Sequence, residues 1–358
     1  MSGEPFPVHV ADLELPFRCV DAGSAPGPTA AAEFARAWPS YRRWFLHEGD
    51  EQRPSYTESR AAVARWMPEL LDDYDGFVKA VGGGDLEARF LSHWCPPPLV
   101  AACSIAMIAG PHPALIRNYD YPPSLCDALA LRTHWSGRSV FGMSDCGWGL
   151  MDGINDAGLA IAISFGGRRD VGKGFGIGLV VRYLLQLATT TEEAAERLIG
   201  LPLQMSYNVA ILDALGAHRI VRVAPDRPAE VTADLSCANR QGATEWPLHA
   251  EYCNTVEREE HLLALVNFPL IEPDDLVGAF LRPPIYRSLA ASTWGTVYTA
   301  AYSPGTGGLT LLWPDDQWFM SVHADDQGFR PRQVLALMPE AVPLAGVTPH
   351  LGRIPLVR

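Results

Sequence analysis

Three consecutive prolines, Pro96, Pro97 and Pro98 in "CPPPL" (residues 95–99), divide this chain. Each fixes its backbone φ and lacks an N–H, so no helix continues through them and an extended arm is favoured. The texture differs on either side. Before the arm, "PTAAAEFARAWPSYRRWFLHEG" sets Phe34, Trp38, Tyr41, Trp44 and Phe45 at helical spacing, and Pro39 is expected to kink or divide that helix. "TESRAAVARWMPELLDDYDGFVKAVGGG" reads as one or two helices, with Thr57 as N-cap, Glu58 in the first turn and Gly82–Gly84 as the stop. Residues 1 to about 98 are therefore expected to be helix and loop.

After the arm come short β-like runs between Gly, Pro and Asp turns: "CSIAMIAG", "PALIRNYDY", "ALALRTHW", "SVFGMSD" and "GLAIAISF". Two helices follow, "GFGIGLVVRYLLQLA" and "TTTEEAAERLIG", the second with a capping box from Thr190 to Glu193. A strand pair in "SYNVAILDALGAHRIVRVAP", an amphipathic helix in "VEREEHLLALV" and closing strands complete the order. Strands mostly neighbour strands, which predicts an α+β fold with antiparallel sheets and helices on their faces. The composition break at 95–102 is the expected boundary.

Composition excludes several roles. A net charge of −13 repels a phosphate backbone, so no nucleic-acid partner is expected. The longest apolar runs are about twelve residues, short of the roughly twenty that span a membrane. The start, "MSGEPFPVHV", carries neither a basic nor an apolar signal region, so a soluble, cytoplasmic protein is expected. Seven cysteines without a C-x-x-C pair indicate neither a disulfide framework nor a zinc site, and no His pairs as H-x-x-x-H.

Few motifs carry chemistry. "GKGFGIG" (172–178) precedes a helix but lacks the G-x-G-x-x-G frame, and a closely packed turn accounts for it better. "GMSDC" (142–146) fails the last position of a nucleophile elbow. What remains is the predicted hairpin around Cys103. Its strand turns at Gly110–Pro113, and "ALIRNYDY" returns beside it with Arg117, Asn118 and Asp120. A thiol near a guanidinium and a carboxylate is the setting of a reactive cysteine. A core strand with an inert Cys103 and an ordinary Arg117–Asp120 ion pair is an equally good reading of the spacing. Strand alternation places 117 and 120 on opposite faces, so both reach one site only if the strand bends or ends near Asn118.

Taken together, Cys103–Ser104, "RNYDY" with Arg117, Asn118 and Asp120, "GINDAGLAIAIS" (153–164), "NVAILDALG" (208–216), "CANRQ" with Asn239 and "GTVYTAAYSP" (295–304) resemble the N-terminal-nucleophile cysteine hydrolases. The likeness is to the acyl-coenzyme A:6-aminopenicillanic acid acyltransferase branch and, more distantly, to choloylglycine hydrolase. It runs over about residues 100 to 325.

The resemblance implies a four-layer αββα sandwich of two antiparallel sheets and a precursor that cuts itself at Ala102–Cys103. Residues 1–102 would be a helical pro-segment or α-chain, and 103–358 the catalytic β-chain, giving an α/β heterodimer of its own products. It implies that Cys103 forms an acyl thioester, with its freed α-amine as base. Asn239 would donate to the oxyanion, Asp120 hold the α-amine, and Arg117 support Asp120 and the thiolate. Where choloylglycine hydrolases carry another asparagine, this chain has "ISFGG", so Ser164 or a backbone N–H must substitute; Asn155 and Asn208 are alternative polar contributors, or turn caps. The activity implied is acyl transfer or amide hydrolysis on a small molecule, with an amine or water as acceptor and no cofactor, acyl-coenzyme A entering only as an acyl-donor substrate. Two other readings stay open: an unprocessed thiol enzyme with His112 or His134 as base, and a non-catalytic small-molecule binder on the same scaffold. Arg168 and Arg169 read as a solvated turn rather than as a contact for an acidic substrate.

Overall fold

The computed structural model describes residues 8–289, 294–324 and 327–339. The ends of the two expected segments, 1–7 and 340–358, lie outside the described residues. The strands are β1 (Val8–Asp21), β2 (Ala102–Ile108), β3 (Ala114–Tyr121), β4 (Leu129–Thr133), β5 (Val140–Asp145), β6 (Gly149–Asn155), β7 (Ala160–Phe165), β8 (Tyr207–Leu212), β9 (His218–Val223), β10 (Glu230–Thr232), β11 (Ser236–Cys237), β12 (Gly295–Ser303), β13 (Gly308–Trp313), β14 (Asp316–Ser321) and β15 (Gly328–Pro339). The helices are α1 (Pro28–Phe45), α2 (Tyr56–Trp66), α3 (Leu71–Ala80), α4 (Asp85–Leu91), α5 (Ile177–Leu187), α6 (Thr191–Ile199), α7 (Pro247–Tyr252), α8 (Thr255–Val266) and α9 (Pro273–Phe280). Among the described residues, no helix is long and apolar enough to cross a membrane.

The strands form two sheets. The larger runs β10-β9-β8-β7-β6-β5-β4-β1-β15 and the smaller β11-β2-β3-β12-β13-β14. The sheets face each other through β2 and β3 against β7; α5 and α6 cover the large sheet, while α8 and α9 cover the small one. This is the expected αββα order. Helix α5 is buried from Ile177 to Gln186, so it is covered on every side rather than on one stripe, with Arg182 and Gln186 enclosed.

Local chemistry sets the element ends. The β2–β3 hairpin turns at 109–113, as Gly110 and the flanking prolines require. Thr190 Oγ1 accepts from the Glu193 amide, while the Glu193 carboxylate reaches back to Thr189 rather than to Thr190. Helix α2 starts two residues earlier than expected: Ser55, not Thr57, is the N-cap, in a reciprocal box with Glu58. Helix α1 runs through Pro39 without dividing.

The N-terminal segment differs from expectation in a consequential way. Residues Val8–Asp21 are a strand, lying between β4 (parallel) and β15 (antiparallel) in the large sheet. Leu15, Phe17 and Cys19 alternate into the core, while Pro16 sits in the ladder shared with β15. Phe17 packs edge-on against Trp313, ring centroids 5.0 Å apart, and against Tyr298. The helices that follow join the same core, Phe77 meeting Trp135 and Trp148. Residues 8–101 are thus built into the sandwich rather than laid beside it. Truncating Phe17 to Ala should cost about 3–5 kcal/mol, read as a lower urea midpoint; a loss below about 1 kcal/mol would show that β1 is peripheral.

Candidate active site

Cys103 is the second residue of β2, fully buried, and its position is set by the hairpin register. Cys103 lies opposite Tyr119 and Ile105 opposite Arg117, so these four share the inter-sheet face. Arg117 Nη2 is 3.2 Å from Cys103 Sγ. Burial pushes the Cys103 thiol above its ordinary range, and Arg117 opposes that rise.

The carboxylate paired with Arg117 is not the expected one. Arg117 Nη1 bonds Asp152 of β6, across the gap between sheets. Asp152 also accepts from Tyr298 (2.8 Å) and Tyr302. All four side chains are fully buried or nearly so. Sequence reasoning missed Asp152; its signal was a lone acid in the apolar run "GLMDGIN".

Asp120 lies on the opposite face of β3, as strand alternation requires. The strand does not stop near Asn118; it continues to Tyr121. Asp120 pairs in register with Ala102, beside the Ala102–Cys103 bond. Its Oδ1 accepts from Thr296 Oγ1 at 2.8 Å, and its buried Oδ2 has no hydrogen-bond partner. A β-bulge between Thr296 and Tyr298 makes this possible. Without it these two residues would share a face; with it, Thr296 turns to Asp120 and Tyr298 to Arg117. Burial raises the Asp120 carboxyl above its usual range, and Arg258 opposes this.

Arg258 is the second group that sequence reasoning missed. It projects from α8, fully buried, and Nη1 donates to the Cys103 carbonyl (2.6 Å) and to Ser104 Oγ (2.8 Å). Nη2 donates to Asn239 Oδ1 at 2.8 Å, and the guanidinium lies 3.9 Å from Asp120. Its signal was an arginine on the buried stripe Thr255, Arg258, Leu262 of an otherwise ordinary amphipathic helix.

Asn239 completes the site. Its Oδ1 also accepts from the Cys103 N–H at 3.0 Å, so its Nδ2 faces the other way, to the carbonyls of Phe165 (3.1 Å) and Ala101 (3.4 Å). The Asn239 side chain therefore straddles the Ala102–Cys103 junction. Its loop is held by Ser164, which donates to Ala238 O, and by Asn208, which donates to Ala238 O and Arg240 O. Gly167, at φ +71°, packs so closely that a Cβ would sit 2.2 Å from the Asn239 carbonyl oxygen. Ser164 and Asn208 thus position the Asn239 loop, and Ser164 is not the substitute oxyanion donor expected above. Asn155 caps its own turn and ties down the end of α5.

The alternative bases lie elsewhere. His112 sits in the hairpin turn, about 20 Å along the strands from Cys103 at roughly 3.3 Å per residue. His134 is held by Ser139 and Asp21. Arg168 is no solvated turn: it is nearly buried in an ion-pair cluster with Asp226, Glu245 and Asp170. Beside the site, a cleft of about 210 Å³ is lined by Trp44, Leu99, Tyr121, Leu125, Asp127 and Asp145.

Against known families, residues 109–318 match the acyl-coenzyme A:6-aminopenicillanic acid acyl-transferase family, more than half of the chain. The chain belongs to this family. Arg117, Asp120, Asp152, Asn239 and Arg258 fall inside the matched segment, and Cys103 lies just before its first residue, Ala109. Comparison with curated protein sequences gives no match. Similar solved structures include a variant of the conjugated bile acid hydrolase of Clostridium perfringens (11% identity, TM-score 0.46, 68% of this chain and 100% of that one). Others are the penicillin V acylase of Agrobacterium tumefaciens (12%, 0.42, 64% and 90%) and the Caenorhabditis elegans ortholog of N-acylethanolamine-hydrolyzing acid amidase (12%, 0.39, 61% and 99%).

Tyr119 links the site to the cleft, donating to Asp145 Oδ2 at 2.9 Å. Burial raises the Asp145 carboxyl to about 6, against bonds from the Asp127 amide and Tyr119 that lower it. Unfolded, it titrates near 3.9. Between the two values the folded chain holds more protons, so this stability is present at pH 4 and lost as pH rises through 6. Relative to Asp145→Asn, the wild type should lose up to about 3 kcal/mol between pH 4 and 7 in urea unfolding; a constant difference would contradict this.

Proposed function

We propose that the protein performs acyl transfer or amide hydrolysis on a small molecule through an acyl thioester on Cys103, after cutting its own chain at Ala102–Cys103. The observation that carries this reading is the convergence on one residue. Arg117 touches the Cys103 thiol, Asn239 and Arg258 hold the Cys103 peptide groups, and Asp120 keeps a carboxylate oxygen without a hydrogen-bond partner beside the scissile bond.

The steps follow from these placements. Cys103 Sγ gives its proton up and attacks the Ala102 carbonyl; Arg117 stabilises the thiolate. The C–N bond breaks, its electron pair and a proton going to Cys103 N, which becomes the α-amine. Water then opens the thioester, leaving an Ala102 carboxylate and a free thiol. Asp120 Oδ2 is the acceptor such an amine needs, and gaining it would pull the Asp120 carboxyl back down. In turnover the α-amine takes the thiol proton, and the thiolate attacks a substrate carbonyl. Asn239 Nδ2 donates to the oxyanion, a contribution of roughly 3 kcal/mol. Water or an amine then takes the acyl group; with an amine the product is a new amide, in keeping with the family's description. An acyl-coenzyme A donor would form the same thioester.

Arg258 pins Asn239 Oδ1, so Nδ2, which also donates to Phe165 O, is the end that faces the acyl group. The cut pieces stay together as an α/β heterodimer, because β1 lies within the large sheet.

The reading predicts an acyl adduct on the fragment that begins at Cys103. Incubation with an activated ester and quenching in acid should add one acyl mass to that fragment in wild type. Asn239→Ala should slow its formation about 100-fold. An adduct spread over other cysteines, or none while Cys103 reacts with iodoacetamide, would contradict it.

A further inference from the structure

We propose that the acyl side of the substrate is a peptide-like chain, bound where residues 96–101 now lie. The inference rests on Cys103 being the nucleophile. It draws on how the arm before Cys103 is held. Residues 96–101 belong to no helix or strand, yet the carbonyls of Pro96, Leu99 and Ala101 are met by side chains of the body. Gln204 Nε2 donates to Pro96 O, Tyr207 OH to Leu99 O at 3.3 Å, and Asn239 Nδ2 to Ala101 O at 3.4 Å. Buried carbonyls need such partners, and an arm outside the sheets must find them in side chains.

One nucleophile serves both reactions. The carbonyl it attacks in self-cleavage and the one it attacks in turnover must both lie within reach of Sγ and of Asn239. The chain attached to the acyl side of that carbonyl then follows the same path. Cys103 is fully buried, so the arm must leave before any substrate enters. Its departure takes away the carbonyl partners of Gln204 Nε2 and Tyr207 OH, and a substrate without matching carbonyls would not replace them.

Side-chain space along the arm refines the class. Ala101 and Ala102 are fully enclosed, which suits small groups next to the reacting carbonyl. Leu99, the fourth residue back, opens into the cleft beside Trp44, Tyr121 and Leu125, which suits a bulky apolar group. The acyl donor thus carries an amide carbonyl at the fourth position, is small at the reacting end and apolar farther back.

Two measurements on the cut protein test this. N-acetyl-Leu-Val-Ala-Ala p-nitroanilide should be turned over with a kcat/KM at least about tenfold above N-acetyl-Ala p-nitroanilide, and Tyr207→Phe should shrink that ratio about threefold or more, through KM. The free acid PPPLVAA should slow iodoacetamide labelling of Cys103 about fivefold or more, where a scrambled heptapeptide does not. Equal turnover of the two anilides, with no protection by PPPLVAA, overturns the proposal and leaves the acyl-thioester reading standing. A chain that is never cut and never labelled at Cys103 overturns that reading, and this one with it.

Discussion

The bridge from Cys103 Sγ through Arg117 to Asp152 is the contact on which the site depends. It crosses from the small sheet to the large one with no solvent around it. Taking a guanidinium and a carboxylate out of water is expensive, and their attraction repays it only when the remaining lone pairs are also satisfied. Tyr298 and Tyr302 supply those bonds to Asp152, and their hydroxyls are held far above the ordinary tyrosine range by burial next to that carboxylate. Removing one member of such a pair costs on the order of 3–5 kcal/mol. The sandwich thus spends stability to hold one arginine with a free N–H aimed at one thiol.

The second constraint is the register of β2 on β3. It sorts the machinery by face. Arg117 and Tyr119 look inward with the thiol, while Asn118 and Asp120 look outward to α8 and α9, where Arg258 waits. Cys103 is served from both sides because its side chain belongs to one face and its peptide groups are reached from the other. The bulge in β12 makes this compatible with a single partner strand. Asn239, arriving from the end of β11, joins the two halves by bonding both the Cys103 N–H and Arg258.

Much of this was legible in the sequence where the signals are local. The hairpin, α5, α6, α8 and the closing strands announce themselves through turns, caps and periodicity, and Cys103 with Arg117 follows from one hairpin. Strand β1 was not read, although Leu13, Leu15, Phe17 and Cys19 alternate, because Pro16 argues against an inner strand. It is tolerated facing Pro331 in the ladder with β15. The ion-pair partners were assigned wrongly for a related reason: adjacency in "RNYDY" suggested Arg117 with Asp120, whereas the true partner, Asp152, comes from a distant strand. Arg258 carried only its place on the stripe with Thr255 and Leu262 as a sign, and a charged residue in an amphipathic helix ordinarily faces water.

The central claim is that the Ala102–Cys103 bond is broken by Cys103 itself. Intact-mass analysis of the purified, denatured chain tests it most directly. The account predicts two polypeptides, one ending at Ala102 and one beginning at Cys103, and a single unbroken chain for Cys103→Ala. A wild-type chain that stays whole, or a Cys103→Ala chain cut at the same bond, would contradict it.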